Sequence, residues 1–169
     1  MSPFRPDLIE CCIFRLSAPA QVELLLLRRS ASRIFPGLWQ CVTGGLEPGE
    51  RVPMAALREV FEEVGFGSPQ IEAFYDLDQA TQFYDEGSDG IVTSATFAVR
   101  IRADAVARLS HEHDDARWVT ADEALDLVVW PSYAATIRRI LATLTDPDAA
   151  RWFELTLEGH RIARPPRGR

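Results

Sequence analysis

The sequence predicts an α/β fold in which a mixed β-sheet lies between helices. Three observations lead there. LIECCIFRL (8–16) and VELLLLRR (22–29) are apolar runs of strand length joined by a Ser-Ala-Pro-Ala turn. IEAFYDLDQATQFYD (71–85) and IVTSATFAVRIR (91–102) show the two-residue alternation of strands around a polar EGSDG loop. Segments with helical spacing are interleaved with these strands, which favours helices on both faces of one sheet.

Taken in order, residues 30–38 (SASRIFPGL) read as a loop and Trp39 to Val42 as a short strand. Gly44, Gly45, Pro48 and Gly49 form a tight loop before a helix. That helix has Pro53 in its first turn and Gly65 at the left-handed position after its last. Leu57, Val60, Phe61 and Val64 supply its apolar stripe, and Phe66 is expected to pack back on Phe61. ARWVT (116–120) is another short strand, after which Thr120 and Glu123 make a capping box. A last helix starts near Pro131 and Ser132 and should bury Ala134, Ile137, Ile140, Leu141 and Leu144 before Asp146-Pro147 ends it. The expected domain is 1–150, with 151–169 an extension whose Arg/Pro-rich tail (159–169) lies on the surface.

A chain of 169 residues that is 47% hydrophobic can bury a proper core. No apolar run reaches the 18 or so residues of a membrane span, and the start has no signal-peptide pattern. Cys11, Cys12 and Cys41 read as buried, reduced thiols of a cytoplasmic protein. The 18 basic residues are all arginine, which excludes a Walker-type phosphate loop and Schiff-base chemistry. The formal charge of −7 disfavours general attraction to nucleic acid.

The stretch REVFEEVG (58–65) packs three carboxylates and an arginine into little more than one helical turn. At about 100° per residue, Glu59 and Glu63 lie roughly 40° apart and Glu62 roughly 60° to the other side of Glu59, so all three project from one polar face. Such like-charge spacings cost a few tenths of a kcal/mol per pair. The helix dipole disfavours anions in these last turns as well. A cluster that breaks two local rules points to an outside compensation, and a hard divalent cation held by carboxylate oxygens supplies it.

Gly44, five residues, Glu50, seven residues, Arg58-Glu59, an apolar residue, any residue, Glu62-Glu63, any residue, Gly65 and an apolar residue reproduce without mismatch the 23-residue signature of the Nudix hydrolases. The resemblance extends over residues 6 to 144 and implies an α/β/α sandwich. It also implies hydrolysis of a nucleoside diphosphate linked to another moiety, with magnesium, or manganese as a substitute. By resemblance, Glu59, Glu62 and Glu63 are metal ligands, the loop backbone near Thr43 adds a carbonyl, and Glu50 and Arg58 form an ion pair that orients the ligands.

Family members commonly recruit a further carboxylate from a downstream loop, and LSHEHDDARWV offers Glu112 as fourth ligand or general base, with Glu59 next in line as base. Glu112-His113 with Trp118 six residues after the Glu resembles dihydroneopterin triphosphate pyrophosphatases, as do Trp39-Gln40-x-Val-Thr-Gly44 and, more loosely, Trp130 with Ser132. The remaining His111, His113, Asp114 and Asp115 read as a solvated polar loop. Substrate contacts are expected from Gly44, Gly45, Trp39, Gln40 and an arginine. Arg28, Arg29 and Arg33 are candidates, but Arg28 and Arg29 point to opposite faces of a strand, so at most one of that pair faces the site; Arg28 is the one taken. Phe35, Phe83 and Tyr84 suit either stacking on a base or a place in the core. The expected ligand is a nucleotide or nucleotide-like polyphosphate, and a homodimer stays open. The competing reading is a non-catalytic module of the same fold that binds a nucleotide-derived ligand.

Overall fold

Strand β1 (Leu8–Ala18) is the hub of the computed structural model, which describes residues 4–18 and 21–162. It pairs antiparallel with β2 (Gln21–Arg29), antiparallel with β4 (Val42–Gly45) and parallel with β6 (Gly90–Ile101). The short β3 (Trp39–Gln40) pairs with β2, as does β7 (His113–Thr120). On the far side β5 (Ile71–Asp85) pairs antiparallel with β6, and β8 (Glu154–Leu155) closes that edge. The sheet is therefore mixed, with β1–β6 as its parallel pair. The segment after residue 150, expected as an extension, starts by adding β8 to the sheet and burying Leu155. Most of the Arg/Pro-rich tail lies outside the described residues.

Alternation along β1 and β2 sorts the core into two layers. Ile9, Cys11, Ile13, Leu25 and Leu27 face α1 (Val52–Val64), together with Val60, Val64 and Phe66. Cys12, Phe14, Leu24 and Leu26 face α2 (Ala121–Leu127) and α3 (Pro131–Thr143), where Ile137 and Ile140 pack. Each fully buried Val, Leu, Ile or Phe contributes roughly 1.5–3 kcal/mol. Both faces are covered because both sets of alternate residues are apolar.

The helix caps follow the sequence. Pro53 opens α1, and Gly65 ends it at φ 76°, donating its N–H to the Phe61 carbonyl. Thr120 and Glu123 make the reciprocal capping box of α2. Two details depart from expectation. Phe61 points outward and is 61% exposed, while Phe66 is buried beside Val60 and Val64; the inward stripe of α1 is Ala55, Ala56, Val60, Glu63 and Val64. On α3 the fully covered positions are Tyr133, Thr136, Ile137 and Ile140, with Ala134 and Leu141 only half-buried. Asp146-Pro147 ends α3 and also caps a further turn, α4 (Pro147–Ala150), whose Asp148 N–H bonds the Asp146 carboxylate.

Candidate active site

Pairing of β4 with β1 sets Gly44 opposite Ile9 and delivers the glycine loop to the start of α1. Gly44 is required by close approach: a Cβ there would stand 2.0 Å from the Glu59 carboxyl carbon. Arg58 organises the neighbouring groups. It donates to both oxygens of Glu50 (2.9 and 3.0 Å), to Glu59 Oε1 (2.7 Å), to Glu62 Oε2 (3.1 Å) and to the Gly45 carbonyl (2.8 Å). This planar fork suits arginine and no other side chain. Its hydrogen bonds hold the Glu50 carboxyl below the usual range and raise the Arg58 guanidinium.

Glu63 behaves differently from its helical neighbours. Its residue is 2% exposed, although Glu62 on the same helix is open to solvent. Thr43 N–H donates to Glu63 Oε1 at 3.4 Å, and Oε2 has no hydrogen-bond partner among the described residues. His113 Nε2 lies 3.6 Å from that oxygen. Gln40 Nε2 stands 3.4 Å from the same ring nitrogen, and Arg29 donates to Gln40 Oε1 at 3.0 Å. His113 is therefore a buried member of the site and not part of a solvated loop. A shift in register between Arg28 and Arg29 pairs His113 with Arg29 at the start of β7. Alternation does not carry across this irregularity, so residue spacing alone does not assign His113 an inward side.

Glu112 ends the loop after β6. Two backbone bonds tie that loop to the C-terminal end of α1: Arg108 N–H to the Val64 carbonyl and Ser110 N–H to the Glu63 carbonyl, both 2.9 Å. The Glu112 side chain pairs with Arg33 at 2.7 Å. Of the strand arginines, Arg29 is the one joined to Glu63 through Gln40 and His113. Arg28 is held by Asp114 at 2.6 Å and, with Arg117, flanks the Trp39 ring on the α2 and α3 side of the sheet. Trp39 is thus packed between guanidinium groups and core, while its neighbour Gln40 meets Arg29 and the His113 ring that lies beside Glu63. Phe83 and Tyr84 stand exposed on the β5–β6 hairpin, and Phe35 is exposed edge-on to Trp130. All three cysteines are buried free thiols, and burial raises Cys11, while a Cys12 hydrogen bond and burial raise Cys41.

The carboxylates repel one another. Burial first, then the charges of Glu59 and Glu112, push Glu63 up to about 9. Burial also raises Glu59, with Glu62 and Glu112 adding to it against the pull of Arg58. Burial lowers His113 to about 4, leaving it a neutral neighbour. A divalent cation would relieve these strains at once, and the oxygen donors with an unpartnered Glu63 Oε2 fit a hard ion. Among the described residues no three acidic, His or Cys side chains already converge on one point. Arg58 holds Glu59 and Glu62, and Arg33 holds Glu112.

The NUDIX domain family model matches residues 11–140, covering the site and most of the sheet. The chain belongs to the Nudix hydrolase family. This Nudix chain is 34% identical over 122 residues to an octanoyltransferase of Myxococcus xanthus, a match of 72% of this chain and 33% of that protein. It thus spans a third of that relative's length. It is 32% identical over 107 residues to the nucleoside triphosphatase NudI of Escherichia coli O1:K1, covering 61% of this chain and 74% of that one. The solved dihydroneopterin triphosphate pyrophosphohydrolase of E. coli superposes with a TM-score of 0.69 at 26% identity, over 82% of this chain and 96% of that chain. No helix among the described residues is long and apolar enough to cross a membrane.

Proposed function

We propose that this Nudix chain hydrolyses a phosphoanhydride bond of a nucleoside triphosphate or a related triphosphate or diphosphate compound, with magnesium as its cofactor, manganese as a substitute, and pyrophosphate or phosphate as a product. The observation that carries the reading is Glu63, a carboxyl group almost sealed from water with one oxygen unpartnered beside Glu59. An uncompensated buried charge is strongly destabilising, so a carboxylate kept there needs a cation to ionise. Glu59, Glu62 and Glu63 would hold that cation. When bound it supplies charge neutralisation for phosphate oxygens and an activated water.

The chain's own groups do the rest. Arg58, locked by Glu50, aims Glu59 and fixes the Gly45 carbonyl. Glu112 serves as a further ligand or takes the proton of the attacking water. Gly45, with open space where a Cβ would stand, lets a phosphate approach the main chain of β4, while Gly44 makes room for the Glu59 carboxylate beside it. Two of the relatives are named for substrates with a triphosphate, which supports this substrate class. A cytoplasmic setting fits the three free thiols.

The test is incubation with magnesium and a panel of nucleoside triphosphates, dihydroneopterin triphosphate and dinucleoside polyphosphates, with products separated by anion exchange. Release of pyrophosphate or phosphate is expected, and the pair of products identifies the bond cut. Full turnover in excess chelator would overturn the metal dependence; no product from any compound would overturn the activity.

A further inference from the structure

Arg33 and Glu112 belong to two loops whose main chains are fixed to each other and to α1. Ser30 N–H donates to the Glu112 carbonyl at 2.9 Å, Arg33 N–H to the Ser30 carbonyl at 3.1 Å, and Ser110 N–H to the Glu63 carbonyl at 2.9 Å. Arg29 adds a bond from its Nε to the Ile34 carbonyl at 2.6 Å. The 30–38 loop is thereby tied to the strand that reaches Glu63 through Gln40 and His113. Within this frame the Arg33–Glu112 ion pair, at 2.7 Å, is a contact between two side chains that each keep access to water, 41% and 32% exposed.

We propose that Arg33 is a phosphate-operated latch: it holds the Glu112 carboxylate away from the metal-binding carboxylates until a polyphosphate takes its guanidinium, and Glu112 then turns toward Glu59 and Glu63. The inference rests on the hydrolase reading above. Two observations and one chemical preference carry it. The pair occupies the Glu112 carboxylate, and among the described residues Glu112 does not converge with Glu59 and Glu63 while Arg33 holds it. The pair is partly exposed, and such pairs are weak, so exchange of partner is cheap. A phosphate chain offers several charged oxygens to a guanidinium fork, and a lone carboxylate offers two. Because both backbones are anchored, the exchange needs only side-chain rotation and no movement of the loops. Substrate arrival and completion of the carboxylate set become one event, with Arg33 as a positioning residue for Glu112 and a contact for phosphate.

The experiment measures manganese binding by titration calorimetry without nucleotide, in the parent protein, Arg33→Gln, Glu112→Gln and the double variant. It then measures binding of an ATP analogue with methylene-bridged phosphates at saturating manganese. Arg33→Gln should bind manganese about 3- to 10-fold more tightly, and that gain should vanish in the Glu112→Gln background. The same variant should bind the analogue about 10-fold or more weakly. Unchanged or weaker manganese binding by Arg33→Gln would overturn the latch. So would an equal gain in the Glu112→Gln background, because the effect would then be the removal of a nearby positive charge. If the coupling appears but no substrate is turned over, the hydrolase reading falls and the latch stands. If turnover is normal and the coupling is absent, the latch falls alone.

Discussion

Glu59 lies across Gly44 so closely that a side chain at 44 and the observed carboxylate cannot coexist. A Cβ on Gly44 would stand 2.0 Å from Glu59 Cδ and Oε1 and 2.5 Å from Cγ. The glycine is there for its missing atom, not for a special backbone angle.

Gly44→Ala should therefore push Glu59 aside while sparing the fold, because the clashing atoms are the far end of a flexible side chain. We expect manganese affinity and turnover to fall by roughly 10-fold or more, as for other disturbances of ligand position. The melting temperature without metal should drop by no more than about 3 °C. Calorimetry and steady-state kinetics on one preparation check both.

Glu63→Gln should lower turnover by roughly two orders of magnitude, since it removes a charged ligand from the site where transition-state charge is balanced. Near-parent activity in that variant would show that the helix face has been misassigned. Its metal-free melting temperature at pH 7 should stay level or rise, because the folded parent must keep a proton on this carboxyl that the unfolded chain releases, a cost that glutamine does not carry.

The pH dependence of stability follows from three buried groups. Burial raises Glu63 from 4.5 to about 9 and Glu10 from 4.5 to about 7. Between those values the folded chain keeps protons that the unfolded chain has released, so this stability is full below about 4.5 and is lost as pH rises through the folded values. Burial lowers His113 from 6.5 to about 4, so the folded chain lacks a proton that the unfolded chain holds, and stability falls as pH drops below 6.5. The trends oppose one another between 4.5 and 6.5 and leave the carboxyls in control above it. The metal-free melting temperature should fall by on the order of 5 °C from pH 6.5 to 9. Saturating manganese should flatten the slope. Metal binding at pH 7 should also release about one proton, read from calorimetry in buffers of different ionisation enthalpy.

Glu112→Gln should bind nucleotide with little loss yet turn over at least ~30-fold more slowly, the pattern of an interaction made mainly in the transition state. Asp115→Asn is the control. Asp115 pairs with Arg117 at 3.1 Å on the outer edge of β7, and its loss should be nearly silent in kcat and KM. Equal effects from both substitutions would mean that the loop acts through its overall charge.

The sequence made legible whatever is written in local chemistry. Pro53 and Gly65 marked both ends of α1, the Thr120 box marked α2, and alternation gave β5 and β6 almost to the residue. The polar cluster of α1 was visible, but a helical wheel does not tell which flank of a polar stripe abuts the sheet. Periodicity alone groups Glu63 with exposed Glu62 and turns Phe61 inward, because only the seating of α1 against β4 decides between the flanks. His113 is hidden by a break in register and β8 by its two-residue length, while Arg29 is visible as a candidate but spacing alone does not choose between it and Arg28. Arg33 was visible as a phosphate candidate, but its partnership with Glu112 joins residues 79 positions apart (112 − 33) and leaves no local trace.

The parallel pairing of β1 with β6 sets the order in which this site can come into being. Leu8 lies beside Ser94 and Phe14 beside Arg100, so the register closes only after most of the chain has been made. Contacts of such long sequence separation are slow to form, because loop-closure entropy is spent before they reward it. A fragment ending at residue 89 would carry every residue of the 44–66 signature and still lack the strand that supports β1, on which β4 and Gly44 hang. The signature is local in sequence, but its working geometry is a late, global product of folding, and during synthesis the nascent chain should acquire metal affinity only after β6 has emerged.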